Sequence, residues 1–281
     1  MEPYISAINV YPIKSCAGTS VGRAYLDRSG FQNDRKFMIV GPDNRFLSQR
    51  DLPRMALIRP RIEVIPGTPL YEAGELVVNA PGMSELRVLF SPKDEVGVHD
   101  ATVWDDSCLV IGQGNQASAW FSGFLKTPCE LVRIVEDGRV HHLSALNKAF
   151  PVNFQDSCPI LIISAASLAD LNDRLEKPIS MDRFRPNIVV SGIAPYKEDK
   201  WLGRIVRIGR VEMRGVKLCQ RCPTTTVDQR TGACGENPWD EEPLRTLLTY
   251  RQVGGGVIFG INCVHDNTDF INLGDSVEIF S

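Results

Sequence analysis

The sequence predicts a β-rich α+β protein with only a few helices, and three observations point that way. Short apolar or alternating runs recur along most of the chain, clusters of Gly, Pro, Asp and Asn separate them, and a helical period appears in only a few places. The 281 residues fit about two domains and are long enough to bury a core without staples.

The elements follow in order. Residues 5–13, 21–26, 37–40, 57–65, 76–79, 86–90 and 109–111 read as strands, with turns such as Gly41-Pro42-Asp43-Asn44 between them. That is the spacing of a barrel or sandwich. Ala117, Trp120, Phe121, Phe124 and Leu125 recur at i, i+3, i+4, i+7 and i+8, which gives a helix one apolar face. Residues 138–154, with His141, His142 and Asn147, read as a long structureless connection of the kind that is more often functional than neutral. His141 and His142 themselves read as exposed loop residues. After an apolar strand over 160–163, Ser167 and Asp170 form a capping box, and Leu168, Leu171 and Leu175 share one helix face. Strands follow over 187–190, 204–208 and 211–217, the last two joined by Gly209-Arg210. Pro243 opens a short helix over 244–250, and 276–280 is the closing strand.

Thirty-one Lys and Arg against 34 Asp and Glu leave a net charge of −3, which supplies no field for holding nucleic acid or an anionic membrane. Eight cysteines are about 3% of the chain, below the roughly 8–10% of a disulfide scaffold. The N-terminus runs straight into alternating apolar residues, so no signal or transit peptide is expected. The longest apolar stretch, 159–166, is far short of the roughly 20 residues that span a bilayer. A reduced, soluble, cytoplasmic protein with no nucleic-acid or membrane partner is the expectation.

The densest reactive cluster runs from Lys217 to Asp228 and holds Cys219, Gln220, Arg221 and Cys222, with Cys234 and Cys263 further on. Neighbouring cations favour the thiolate that binds metals or attacks electrophiles. A zinc site could use Cys219, Cys222, Cys234 and either Cys263 or His265, although no second closely spaced pair completes it. A redox dithiol would want a helix N-terminus, and here β-branched residues follow. A single thiolate for a soft metal and a pair of ordinary buried cysteines both remain open. Lys14 and Ser15, Asp34-Arg35, Gln155-Asp156-Ser157 and Arg183 to Asn187 put polar groups at several strand ends, which is how a barrel mouth gathers ligand-binding groups. No P-loop, G-x-G-x-x-G, H-E-x-x-H or hydrolase triad is present.

Y-P-I-K-S-C at Tyr11 to Cys16, D-R-K-F from Asp34, F-R-P-N-I-V-V-S-G from Phe184 and C-Q-R-C-P-T-T-T-V-D-Q-R-T-G from Cys219 resemble the MOSC superfamily. Within it the chain is similar to the amidoxime-reducing branch, the mitochondrial amidoxime-reducing components and bacterial YcbX-like proteins, over about residues 4 to 280. The resemblance implies an N-terminal MOSC-type β domain over 1–125, packed on a MOSC β-barrel over 126–281, with a molybdenum–pterin cofactor (Mo-molybdopterin) in the cleft. It implies that Cys222 is the metal ligand and that Asp156 lies beside the metal, where it assists proton transfer. Lys14, Ser15, Arg35, Ser157, Arg185, Asn187, Gln220 and Arg221 fall where the family binds pterin and phosphate. Gln220 stands where relatives often carry Ser, and Cys158 where a Ser or small residue is usual.

The implied reaction is the two-electron reduction of small N-hydroxylated substrates: amidoximes, hydroxylamines and N-hydroxylated bases. Mitochondrial members carry an N-terminal membrane segment, and many bacterial ones append a ferredoxin-type domain. Neither pattern occurs in these 281 residues. Electrons are therefore expected from a separate protein, either ferredoxin-like or a b-type cytochrome with its reductase. Two alternatives are a cofactor carrier or sulfur-transfer protein using Cys222, and a zinc-stabilised binding module.

Overall fold

The computed structural model describes residues 2–64, 74–90, 97–143 and 148–280, so Ile65 and Asn147, named above, lie outside the described residues. Among these, strands dominate and three α-helices are present, as a β-rich α+β chain requires. Among the described residues no helix is long and apolar enough to cross a membrane.

The largest sheet runs in the order Thr19–Val21, Tyr4–Val10, Ile188–Ser191, Ile160–Ser164, Gly256–His265, Val211–Gln220, Ile205–Ile208, Val277–Phe280, with Gln252–Val253 paired to Gly256–His265. Its two ends meet. Ile5 N–H donates to Asp275 O at 2.9 Å, and Tyr4 bridges Ser276. The sheet therefore curls into a barrel filled by Ile5, Ile8, Ile160, Ile188, Val206 and Ile261. Each such apolar side chain contributes about 1.5–3 kcal/mol when fully buried.

Phe37–Val40, Glu130–Ile134, Asp106–Gly112 and Val98–Val103 form a second sheet, and Arg59–Val64, Gly74–Asn79 and Leu86–Leu89 a third. Helix α1 (Asn115–Leu125) buries the expected Ala117, Trp120, Phe121, Phe124 and Leu125 against a core that includes Phe37, Leu76 and Leu131. Tyr4–Val10 belongs to the barrel and Phe37–Val40 to the second sheet; Lys14 and Ser15 follow the first of these strands, and Arg35 precedes the second.

Two expectations are corrected, and one strand is added. Residues 138–154 are not structureless: Val140–Leu143 and Lys148–Pro151 pair as an antiparallel hairpin, whose short runs V-H-H-L and K-A-F-P carry no apolar–polar alternation for a hydrophobicity reading to find. Helix α2 (Ala165–Asn172) is capped by Ser164, whose Oγ accepts from the Ala166 and Ser167 amides, because the strand runs straight into the helix. Ser167 Oγ instead donates to buried Glu198 at 2.7 Å. The ten-residue strand Gly256–His265 was not expected, since glycines at its start and in its interior weaken a strand pattern. Gly260 lies inside it at φ 87°, where an added Cβ would sit 2.6 Å from Ile163 Cγ1 and 2.8 Å from Ile162 O. Only glycine fits. The Gly209-Arg210 turn and the short helix α3 (Leu244–Leu248) stand where expected.

Candidate functional site

Between the barrel and the second sheet lies a cavity of about 450 Å³. All ten positions singled out above line it: Lys14, Ser15, Arg35, Asp156, Ser157, Arg185, Asn187, Gln220, Arg221 and Cys222. Among the charged residues of its wall, seven are Lys or Arg and one, Asp156, is a carboxylate.

The backbone after Tyr4–Val10 is stitched to the start of Phe37–Val40, with Lys14 N–H donating to Phe37 O at 2.8 Å and Arg35 N–H to Tyr11 O at 2.7 Å. This turns Lys14 inward. Its buried Nζ donates to Phe154 O at 2.8 Å and forms an ion pair with Asp156. Burial lowers the Lys14 pKa, and Asp156 offsets part of that. The Asp156 side chain opens onto the cavity (64% exposed), yet the walls still desolvate it, which by itself would raise its pKa. The Lys14 charge and hydrogen bond, Trp104 and Arg35 outweigh that desolvation and hold the carboxyl well below the usual carboxylate range. It faces the cavity as an anion.

Arg35 and Arg185 sandwich the Tyr11 ring, each Cζ about 4.3–4.4 Å from its centroid. Burial pushes the Tyr11 phenol up to about 12, so it stays a donor, here to Pro186 O at 3.1 Å. Arg35 Nη1 donates to Asp34 Oδ2 at 2.6 Å and to Asn187 Oδ1 at 3.2 Å. Arg185 Nη1 donates to Cys16 O, while its Nη2 is buried without a partner among the described residues. Ser15, Arg35 and Arg185 all have positive φ, at 63°, 48° and 56°. Non-glycine residues pay for that conformation, and such strain clusters at ligand clamps.

The strand Val211–Gln220 ends at the reactive motif. Arg221 Nη2 donates to Phe184 O at 2.6 Å and Nη1 to Cys219 Sγ at 2.9 Å, leaving a buried Nε without a partner. Cys222 starts the turn Pro223–Thr226, half-buried, its Sγ 3.4 Å from Thr224 Oγ1. Among the described residues no group of three or more His, Cys, Asp or Glu is placed to hold a metal, so the four-ligand zinc alternative finds no site. Cys263 is fully buried and Cys234 exposed.

Residues 153–157 form a strut that the sequence did not reveal. Its carbonyls are held by side-chain donors rather than by a strand: Arg139 Nη1 donates to Asn153 O and Gln155 O, Lys14 to Phe154 O, and His141 Nδ1 to Ser157 O at 2.7 Å. Asp106 anchors the set, accepting from Arg139 Nε at 2.9 Å and facing His141 Nε2 at 3.2 Å. His141 is thus a half-buried clasp rather than an exposed loop residue, whereas His142 on the opposite face is exposed. Phe46, Arg50 and Trp104 also line the cavity and were missed, because no motif surrounds them. Trp104 at the tip of a hairpin had no signal a sequence reading would catch.

Two buried guanidinium nitrogens without partners among the described residues, a surplus of cations and two half-buried thiols, Cys219 and Cys222, fit a multiply anionic cofactor bearing a soft metal. Lys14, Arg35, Arg185 and Arg221 could hold its anionic groups and Cys222 its metal.

The family models described as the MOSC N-terminal beta barrel domain and the MOSC domain match residues 2–128 and 149–278. The chain is 36% identical to mitochondrial amidoxime reducing component 2 of Bos taurus, over 88% of this chain and 72% of that protein. It is 32% identical to mitochondrial amidoxime-reducing component 1 of Homo sapiens, over 98% and 82%. It is 31% identical to the molybdenum cofactor sulfurase of Arabidopsis thaliana, over 92% of this chain and 32% of that one.

Proposed function

The chain belongs to the MOSC family, and from that premise we propose that it is a molybdenum-cofactor-dependent reductase of N-hydroxylated compounds, supplied with electrons by a separate protein. The observation that carries the reading is one cavity in which, among the described residues, seven cations and a single carboxylate surround the half-buried thiols of Cys219 and Cys222, in a chain similar to amidoxime-reducing components.

When bound, the cofactor supplies two-electron redox chemistry and an acceptor for the substrate oxygen. The rest falls to the chain. Arg35, Arg185 and Arg221, pinned by carbonyls and by Asp34, present fixed N–H donors to anionic groups at little further cost in ordering. Asn187 orients Arg35 and accepts from Leu161 N–H. Cys222 would hold the metal. Asp156, kept ionised, accepts a hydrogen bond from the substrate's N–H or O–H and orients it, and the proton it could relay must arrive from solvent through the cavity mouth. Overall an N–O bond breaks, two electrons and two protons are consumed, and water and the reduced nitrogen compound leave. The electron donor is a ferredoxin-like protein or a b-type cytochrome with its reductase.

Molybdenum and pterin content, measured on wild type and Cys222→Ala from a host that makes the cofactor, tests the reading. The expected result is about one molybdenum and one pterin per chain, molybdenum lost in the variant, and oxidation of a reduced dye by benzamidoxime in wild type. Loaded protein without turnover would support a carrier or sulfur-transfer role instead, and zinc without pterin would overturn both.

A further inference from the structure

The cavity has an end that the ten positions above do not build. Phe46, Ser48, Arg50 and Trp104 belong to its wall, and all four come from the first half of the chain. Trp104 begins the two-residue connection between Val98–Val103 and Asp106–Gly112, at φ 59°, where glycine is the usual residue. A bulky aromatic is an uncommon occupant of that region, and it persists only where its surroundings over-determine it. Three contacts do so. The Phe46 ring lies 4.9 Å away at 58°, Arg50 Cζ lies 4.2 Å from the indole, and Trp104 Nε1 donates to Asp156 Oδ1 at 3.0 Å. The strained turn therefore delivers an aromatic wall to the one carboxylate of the cavity.

The charge inventory points the same way. Of the seven cations, Lys14 is paired with Asp156, Arg35 with Asp34 and Arg183 with Asp228, while Arg185 and Arg221 hold the carbonyls of Cys16 and Phe184. The Arg50 and Lys217 head groups make no hydrogen bond or ion pair among the described residues. Lys217 lies on the strand that runs into Gln220, Arg221 and Cys222, beside the cofactor positions. Arg50 is held instead on Trp104, its planar fork open to the cavity. A stacked guanidinium keeps its N–H groups free and matches a carboxylate in bidentate fashion.

We propose that Phe46, Trp104 and Arg50 form the substrate end of the cavity and favour flat, aromatic N-hydroxylated substrates that carry a carboxylate. This rests on the reductase reading and narrows its substrate class. The ring lies along the Trp104 and Phe46 wall, the acid group pairs with Arg50, and the N-hydroxyl end is left to Asp156 and the cofactor.

The test compares benzamidoxime with para-carboxybenzamidoxime in loaded wild type, Arg50→Gln and Trp104→Leu, alongside calorimetric binding of the non-reducible product para-carboxybenzamidine. Losing one charged pair is worth roughly tenfold in affinity. In Arg50→Gln the KM for the carboxylated substrate should rise roughly tenfold, far more than that for benzamidoxime, and binding of the carboxylated amidine should weaken in step, with molybdenum content unchanged. Trp104→Leu should raise KM for both. Equal KM changes for the two substrates in Arg50→Gln would overturn the proposal, and so would a loss of molybdenum, which would make Arg50 a cofactor ligand. Arg50-dependent binding of the amidine without turnover of either amidoxime would sink the reductase reading and leave this site standing.

Discussion

Lys14→Met removes the cation that holds both the strut and the carboxylate of the cavity. Two partners are stranded. Phe154 O, buried, loses its donor, which costs about 1–3 kcal/mol. Asp156 loses its ion pair, but its side chain is 64% exposed, so that loss is worth about 1 kcal/mol rather than the 3–5 of a fully buried pair. Relief of the desolvation of Lys14 itself offsets part of the sum, which leaves about 2 kcal/mol and a melting temperature lower by ~4–8 °C. The pH dependence gives the sharper signature. In wild type the Asp156 pKa is depressed, so its contribution is present above the unfolded value near 4 and is lost only as pH falls through the lower folded value. Without Lys14 the desolvation remains and most of the offset is gone, so Asp156 titrates higher, and the variant's deficit should be largest near pH 8 and shrink towards pH 5. Thermal melts of wild type, Lys14→Met, Asp156→Asn and the double variant, at both pH values, measure this. A Lys14→Met deficit that is the same at pH 5 and 8, or that adds fully to that of Asp156→Asn, would refute the reasoning.

Two further outcomes are expected. Gly260→Ala forces a side chain into φ 87° and a 2.6 Å contact, and should cost more than about 3 kcal/mol, read as loss of soluble folded protein or a steep fall in the urea midpoint; an unchanged midpoint would mean that Gly256–His265 is not the ladder described. His265 is driven down to about 4, chiefly by burial, with Lys148 adding, and its Nε2 has no partner. The unfolded chain then binds the extra proton first, so stability should fall as pH drops from about 6.5 towards 4, on the order of 3 kcal/mol at most, and His265→Leu should flatten that slope in denaturant titrations.

Much of this molecule is legible in its sequence where the signal is local. The apolar face of α1 and the Gly209-Arg210 hairpin follow from periods of a few residues, and the C-Q-R-C and F-R-P-N segments identify residues that line one cavity. The hairpin Val140–Leu143 with Lys148–Pro151 and the strand Gly256–His265 were less legible, one because its runs V-H-H-L and K-A-F-P do not alternate and the other because glycines interrupt it. In both, tertiary pairing overrides a weak local preference.

The order of residues is enough to say which chemistry is available: a β-rich chain, a thiol flanked by arginine, and anion-binding side chains placed at strand ends. Which groups share a surface, and in what state, depends on folding in three dimensions. Lys14 reaches Asp156 across 142 residues and Trp104 reaches it across 52, so the carboxylate's ionisation and direction are set by partners that no periodicity can couple. The same holds for Arg139 and His141, which secure the strut from a hairpin, and for Arg50, whose role rests on lying against an indole at the tip of another. Local pattern reports the faces of single elements. The electrostatics of a cavity depend on how several elements close around it and exclude water.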